Sequence, residues 1–241
     1  MGRRGQLLAE GSRSYGKPGG QVHTRRCAIV ALSGAGLVAA MVTALPGMAA
    51  ARPVRIVVLG DSLSAGFGLA GKDALPAKLE RALKAKGLDV TIENAGVSGD
   101  TAANGLARLD WAVPDKTDGV IVALGANDML RGINPAVTRK ALDDILRRLG
   151  ERRIPVLLAG MRAAPNFGAD FGKNFETIYP QLAAKYDALL YPFLLDGVAA
   201  DAKLNQRDGI HPTAAGVDRM VAGILPKVEE LVGRIRQRSP P

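Results

Sequence analysis

One serine stands where a predicted strand ends. The run Val54–Leu59 is apolar and rich in β-branched residues, which predicts a buried strand, and Gly60-Asp61-Ser62-Leu63 follows it directly. Active sites of open α/β sheets collect at the carboxyl ends of the strands, and the small residues after Ser62 leave room for a substrate. Ser62 is therefore a candidate nucleophile, although Gly-Asp-Ser is also ordinary turn composition.

A histidine and an aspartate near the carboxyl terminus could activate such a serine. A hydroxyl is a weak nucleophile until an imidazole accepts its proton, and a carboxylate then orients the imidazole and stabilises its charge. The segment Asp208-Gly209-Ile210-His211-Pro212 supplies both groups, and the other histidine, His23, lies in a segment that we interpret below as removable. His211 is thus the candidate base. The alternative, in which Asp208 caps a turn and His211 opens the last helix, is compatible with catalysis.

Two further strand ends have the composition of an oxyanion hole, the set of donors that stabilises a tetrahedral intermediate. In Asn94-Ala95-Gly96-Val97-Ser98-Gly99-Asp100-Thr101, Gly99 would let its backbone N–H approach a ligand closely. In Gly125-Ala126-Asn127-Asp128, the Asn127 amide could point to the same place. Each segment alone is equally typical of an ordinary strand-to-helix turn, where asparagine caps the helix.

These four blocks, in this order, resemble those of the SGNH (GDSL) hydrolases. The likeness extends from about Val54 to about Val232. It is greatest to a small bacterial subgroup described as arylesterase, acyl-CoA thioesterase I and lysophospholipase L1, because Gly105-Leu106-Ala107-Arg108-Leu109 and Ile178-Tyr179-Pro180 recur there.

The resemblance implies a role for each motif residue. Ser62 would be the nucleophile, His211 the base and Asp208 its orienting acid, without a cofactor or metal ion. The backbone N–H groups of Ser62 and Gly99, with the Asn127 amide, would form the oxyanion hole. The loop Met161–Phe171, which borders the acyl site in the subgroup, departs more freely from the family pattern and leaves substrate preference open.

The expected activity is hydrolysis of carboxylic esters (aryl, acyl or lysophospholipid) and of thioesters through an acyl-enzyme. The alternative within the family is a main activity on acyl-CoA, which an exported enzyme would rarely meet. An apolar acyl groove is predicted near the motifs, and its candidate residues are Leu130, Ile133, Phe167 and Ile210. The same residues would equally suit packing in the core or in loops.

Two other classes of function are weakly supported. A non-catalytic flavodoxin-like module binding a phosphate or nucleotide would need a Gly-x-Gly-x-x-Gly or P-loop pattern directly after a strand. Gly66-Phe67-Gly68-Leu69-Ala70-Gly71 has the glycine spacing but begins only at the seventh residue after Leu59, so it does not meet this requirement. A metal-dependent hydrolase could use the scattered carboxylates Asp61, Asp100, Asp128 and Asp208, but they lack metal-ligand spacing. Ser62 also misses the Gly-x-Ser-x-Gly elbow of α/β-hydrolases, because Ser64 occupies the final glycine position.

Residues 1–51 are predicted to be an export leader. Basic residues precede an uncharged stretch from Cys27 to Ala51, and Ala49-Ala50-Ala51 fits a small-residue cleavage pattern. Arg25-Arg26 before the apolar run also allows a twin-arginine signal. The enzyme would then be periplasmic or secreted. A retained membrane anchor and a later start codon are the alternatives, since the run is long enough to span a bilayer.

Charge and composition limit the partners. The leader carries six basic residues and one acidic residue, so its removal lowers the formal net charge from +9 to +4. With 4% aromatic residues and no basic cluster interleaved with them, nucleic-acid binding is not supported. The single cysteine, Cys27, lies in the leader, so a mature chain forms no disulfide. We expect a monomer that acts on a small ester, with transient contact with lipid.

Strand and helix patterns alternate along the rest of the chain. Such alternation is typical of a three-layer α/β/α sandwich with a mostly parallel, flavodoxin-like sheet. A hydrolase domain is predicted over residues 52–235, followed by a frayed tail over 236–241. Strands are predicted at Val54–Leu59, Val90–Glu93, Gly119–Leu124, Pro155–Ala159 and Ala188–Tyr191, and helices near Leu75–Lys86, Thr101–Leu109, Pro135–Glu151, Phe175–Tyr186 and Thr213–Ile235.

Overall fold

A parallel sheet of five strands forms the centre of the described part of the chain, which is residues 52–238 of a computed structural model. The leader prediction lies outside these residues. The strands are β1 (Val54–Gly60), β2 (Val90–Gly96), β3 (Gly119–Ala123), β4 (Val156–Ala159) and β5 (Leu189–Tyr191), in the order β2-β1-β3-β4-β5. The apolar runs of these strands are buried on both faces, as a sheet covered by helices requires.

Helices cover both faces of this sheet. The helices are α1 (Ser62–Ala65), α2 (Leu75–Ala85), α3 (Ala102–Ala107), α4 (Leu109–Ala112), α5 (Ala126–Leu130), α6 (Pro135–Glu151), α7 (Ala169–Glu176), α8 (Ile178–Lys185) and α9 (Ala214–Arg238). Helix α2 packs with α9, and α6 packs with α3 and α8. The predicted three-layer α/β/α fold is confirmed.

The chain order of the strands reverses beside β1, because β2 and β3 lie on opposite sides of it. Gly60 at the end of β1 pairs with Gly96 of β2 and with Ala123 of β3. Ligands of open α/β sheets bind outside the carboxyl ends of the strands at such a reversal. The segments that follow these three strands carry three of the four sequence motifs, and the fourth, with Asp208 and His211, lies in the loop before α9.

Several element boundaries differ from the predictions. Strand β2 continues to Gly96, because its turn-like last residues pair with β1. The helix predicted over Thr101–Leu109 is divided into α3 and α4 at Arg108. Helix α9 runs through Arg238, where the tail was predicted to fray from residue 236, because buried Ile235 anchors its last turns. Within residues 52–238, no helix is both long and apolar enough to cross a membrane.

Candidate active site

Ser62 is the first residue of α1, directly after β1. The Asp61 carboxylate accepts a hydrogen bond from the backbone N–H of Leu63 at 3.0 Å and so caps this short helix. The first N–H groups of a helix have no acceptor within it. The Ser62 N–H is therefore available to a ligand at the same point as the Ser62 hydroxyl.

His211 lies between Ser62 and Asp208. Its Nε2 is 2.9 Å from the Ser62 Oγ, and its Nδ1 is 2.7 Å from the Asp208 Oδ2. The Phe67 ring packs against the imidazole with centroids 4.5 Å apart. A hydroxyl, an imidazole and a carboxylate predicted from distant parts of the chain thus form one hydrogen-bonded series.

The loop that carries His211 is held by its own aspartate. Besides contacting the imidazole, Asp208 accepts hydrogen bonds from the backbone N–H groups of Ile210 and His211, each at 3.0 Å. The hydrogen bond with the His211 side chain, followed by these two backbone bonds, lowers the pKa of Asp208 to about 2. Asp208 is therefore a carboxylate near neutral pH.

Three donors predicted for an oxyanion hole line the same cleft, those of Ser62, Gly99 and Asn127. Gly99 has φ +89° in the loop after β2, and no hydrogen bond links its N–H to another of the described residues. The Asn127 side-chain amide donates one hydrogen to the Asp100 carbonyl at 3.0 Å, which leaves its second hydrogen for another acceptor.

The direction of helix α5, which carries Asn127, depends on Gly125. Gly125, which precedes α5, has φ +115°, and a Cβ built on it would lie 2.1 Å from the Tyr179 hydroxyl. That buried hydroxyl donates to the Leu124 carbonyl at 3.1 Å, and burial raises its pKa well above the usual value. A side chain at position 125 would displace either Tyr179 or the start of α5.

The cleft beside the triad has a volume of about 610 Å³. Leu130 and Ile210 line it, as predicted for an acyl groove. Ile133 and Phe167 do not line it, which corrects the prediction for both. The Phe167 ring stacks instead on Phe171, with centroids 5.1 Å apart.

Much of the cleft wall was not predicted from the sequence. Besides Leu130 and Ile210, its apolar lining comes from Leu63, Phe67, Met129, Met161, Phe193 and Leu195. Arg162 also lines the cleft, with its guanidinium 5.3 Å from the centroid of the Phe193 ring. Met161 and Arg162 begin the loop Met161–Phe171, which the family resemblance placed at the border of the acyl site.

Asp61 is a second buried acid beside the nucleophile. Burial is the main cause that raises its pKa to about 7, against the lowering effect of the Leu63 N–H, and nearby Asp128 raises it further. Its Oδ2 and the Ser64 hydroxyl are both buried without a hydrogen-bond partner among the described residues. Asp61 is thus suited to cap α1, and its charge is suppressed near neutral pH.

Other features of residues 52–238 offer less chemistry. No group of three or more His, Cys, Asp or Glu side chains in this range could hold a metal ion. A second cleft of about 600 Å³ is lined by residues at the amino-terminal ends of β4 and β5, with arginines but no serine or histidine. The triad cleft is therefore the better candidate for catalysis.

Comparison with known proteins agrees with this geometry. Residues 58–219 match the GDSL-like Lipase/Acylhydrolase family. The matched range includes Ser62, Gly99, Asn127, Asp208 and His211.

Individual relatives cover most of the described part of the chain. Esterase TesA of Pseudomonas aeruginosa is 35% identical over 178 residues, which are 73% of this chain and 89% of the relative. Thioesterase 1/protease 1/lysophospholipase L1 of Escherichia coli K12 is 38% identical over 65% of this chain and 74% of the relative. The crystal structure of AlinE4, described as an SGNH-hydrolase family esterase, has a TM-score of 0.64 and 49% identity, covering 74% of this chain and 96% of AlinE4.

Proposed function

Because this chain belongs to the GDSL-like Lipase/Acylhydrolase family and is an esterase, we propose that Ser62 is its nucleophile, His211 its general base and Asp208 the acid that orients the base. The 2.9 Å contact between Ser62 Oγ and His211 Nε2 is the observation that carries this proposal. A base within hydrogen-bond reach of a hydroxyl, itself held by a carboxylate, is the arrangement that activates serine.

The reaction proceeds in two steps through an acyl-enzyme. His211 Nε2 accepts the Ser62 proton as Oγ attacks the ester carbonyl carbon, and the protonated imidazole then donates that proton to the leaving alkoxide. Water enters, gives a proton to His211 and attacks the acyl carbonyl, which releases the acid and restores Ser62. Asp208 keeps its charge throughout, because its pKa of about 2 lies far below the working range.

The oxyanion of each tetrahedral intermediate is bound by three donors. They are the N–H groups of Ser62 and Gly99 and the second hydrogen of the Asn127 amide. All three residues line the cleft beside the Ser62 hydroxyl, which supports this assignment. Fixed donors of this kind bind the charged intermediate more strongly than the neutral ester and so raise kcat.

The substrate is an ester with an apolar acyl or aryl group. The largely apolar lining of the cleft and its volume of about 610 Å³ support one such group beside Ser62. Thioester hydrolysis is the second candidate, favoured by the name of the Escherichia coli relative. The same chemistry serves both, since the carbonyl carbon is attacked in each case.

Exposed apolar side chains at the cleft support transient contact with lipid. Phe67, Leu130 and Ile210 line the cleft and are 50%, 44% and 43% exposed. Apolar surface concentrated at one opening commonly marks an interaction site. The triad and the oxyanion donors come from one chain, so a monomer would suffice for activity. We propose export to the periplasm or medium by the leader.

The proposed nucleophile is tested with two serines in one short helix. Ser62→Ala should reduce kcat on a chromogenic aryl ester by about a millionfold with the fold intact. Ser64→Ala is the matched control, because Ser64 is fully buried with an unpartnered hydroxyl, and it should keep kcat within a few-fold of the parent. Activity retained by folded Ser62→Ala, measured with chelator present, would reject the mechanism.

Substrate class is tested with a matched series of acyl groups. Oxygen esters, thioesters and lysophospholipids carrying the same acyl chain should be ranked by kcat/KM. We expect oxygen esters to lead and the preferred chain length to shift in Leu130→Ala. A preference for acyl-CoA over every oxygen ester would instead establish thioesterase as the main activity.

A further inference from the structure

Arg108 is a buried arginine beside the proposed active site. Its Nη2 donates to the Gly60 carbonyl at 2.9 Å, and its Nε donates to the Asp100 carboxylate at 2.5 Å. The two side chains of the ion pair are 8% and 12% exposed. Taking such a pair out of water is costly, and the third nitrogen of the guanidinium, Nη1, is buried without a hydrogen-bond partner among the described residues.

Asp100 links this ion pair to the proposed oxyanion donors. It follows Gly99 directly, and its own N–H donates to the Val97 carbonyl at 3.1 Å. Its carbonyl accepts the hydrogen bond from the Asn127 amide at 3.0 Å. A displacement of Asp100 would therefore move the Gly99 N–H and release the Asn127 side chain.

Gly60 links the same arginine to the nucleophile. The Gly60 carbonyl accepts hydrogen bonds from both the Val97 N–H, at 3.0 Å, and the Arg108 guanidinium. Gly60 ends β1, two residues before Ser62. The Arg108 guanidinium thus makes two contacts. It binds the Gly60 backbone, which leads to Ser62, and it binds Asp100, which holds the proposed oxyanion donors.

We propose that Arg108 is a positioning residue, which holds the oxyanion hole in register with Ser62 through Asp100. It touches neither the substrate nor the reacting atoms. Arginine suits this role because its planar fork makes two hydrogen bonds at a fixed angle, which a lysine ammonium on a flexible stem cannot reproduce. The inference rests on the proposed roles of Ser62, Gly99 and Asn127.

The first experiment compares two arginines that pair with aspartates. Arg108→Lys should lower kcat by about ten- to hundredfold with KM within about twofold, the effect expected of misplaced catalytic groups. Arg148→Lys is the control, because Arg148 pairs with Asp110 at the surface. Rates should be expressed per active site titrated with a fluorophosphonate, so that unfolded molecules do not contribute. A variant that melts earlier with unchanged kcat per site would overturn the proposal.

The second experiment is a double-mutant cycle with Asn127→Ala. Because Arg108 is proposed to hold Asn127 as well as Gly99 and the backbone before Ser62, the effect of Arg108→Lys should be reduced by at least about threefold, but not abolished, in the Asn127→Ala background. Equal effects in both backgrounds would overturn the proposal. Asp100→Asn, which keeps the backbone carbonyl, repeats the test if Arg108→Lys yields no folded protein. Failure of the underlying mechanism has a separate signature, namely activity retained by Ser62→Ala.

Discussion

At the scale of one residue, substitution of Asn127 distinguishes a role in catalysis from a role in stability. The sequence allowed it to be only a helix cap, but Gly125 occupies the N-cap of α5 and the Asn127 side chain bonds across to Asp100. Asn127→Ala should therefore lower kcat by about a hundred- to a thousandfold with little change in KM. Loss of its hydrogen bond should cost only about 1 kcal/mol of unfolding free energy.

A true asparagine cap elsewhere provides the control. Asn134 caps α6 by accepting a hydrogen bond from the Ala136 N–H at 2.9 Å. Asn134→Ala should lower the unfolding free energy by about 1 kcal/mol and leave kcat unchanged. If Asn127→Ala behaved in the same way, with a lower Tm and the parental turnover, Asn127 would have no part in the mechanism.

The buried acid Asp61 predicts a pH-dependent stability. Its folded pKa of about 7 exceeds the ordinary value of 3.8, so the folded chain holds this proton after the unfolded chain has lost it. Its contribution to stability is complete below about pH 3.8 and is lost as pH rises through 7. Asp61→Asn cannot titrate and should gain stability relative to the parent, by a few kcal/mol, between about pH 4 and 7.

Urea unfolding at several pH values measures this difference. Asp115→Asn is the control, since Asp115 is fully exposed, and its difference from the parent should stay nearly constant. The charges that act on Asp61 come from Asp128, His211 and Asp100, and all three remain in the Asp61→Asn variant. A difference for Asp61→Asn that did not change with pH would show that burial leaves this carboxyl unperturbed.

At the scale of elements, alanine substitution at two glycines tests whether the backbone of the loop after β2 takes part in catalysis. Gly99 has φ +89°, and a Cβ built on it would contact only the Arg131 guanidinium, at 3.7 Å. Gly87 has φ +77°, and a Cβ built on it would have no neighbour within 4 Å. Replacing either by alanine should cost about 1 to 2 kcal/mol of stability from backbone strain. Only Gly99→Ala should also lower kcat, because it moves a proposed oxyanion donor. Equal Tm losses with unchanged kcat in both variants would contradict that role.

Sequence patterns predicted the presence of strands and helices better than the residues at which they begin and end. Each predicted strand is present, because a short apolar run bounded by turn residues is typical of a buried strand. The extension of β2 to Gly96 was missed, since its last residues have turn composition and are held by tertiary pairing with Gly60. The break at Arg108 was missed for a similar reason. The guanidinium of this residue binds Asp100, eight residues away, and the Gly60 carbonyl at the end of β1, and periodicity does not encode such contacts.

For the whole molecule, the sheet topology explains why so much of the site could be predicted. Parallel strands bring their carboxyl ends to one edge, so motifs at those ends must meet. Ser62, Gly99 and Asn127 therefore line one cleft. His211 follows no strand of the described sheet and contacts Ser62, 149 residues away, from the loop before α9. The cleft walls were less predictable, because Phe67 and Phe193 lie in loops whose course depends on packing. Ile133 and Phe167 were assigned wrongly for this reason.

The proposed leader gives a prediction for the full-length chain. We expect export in a bacterial host to remove residues 1–51, so that the exported protein begins at Arg52 and carries a formal charge of +4 in place of +9. Signal cleavage needs small side chains at the last and third-last leader positions, which are Ala51 and Ala49. Ala51→Leu should therefore block cleavage. Ala50→Leu is the matched control, because the intervening position tolerates large residues.

Intact mass and amino-terminal sequence of the protein outside the cytoplasm measure this directly. Ala50→Leu should give the same mature mass as the parent, whereas Ala51→Leu should retain the leader and remain membrane-bound. Esterase activity should follow the processed protein into the soluble fraction, because every proposed catalytic residue lies beyond position 51. Exported protein that still begins at Met1, or an active enzyme found only in the cytoplasm, would contradict the leader and with it the preference for extracellular esters over acyl-CoA.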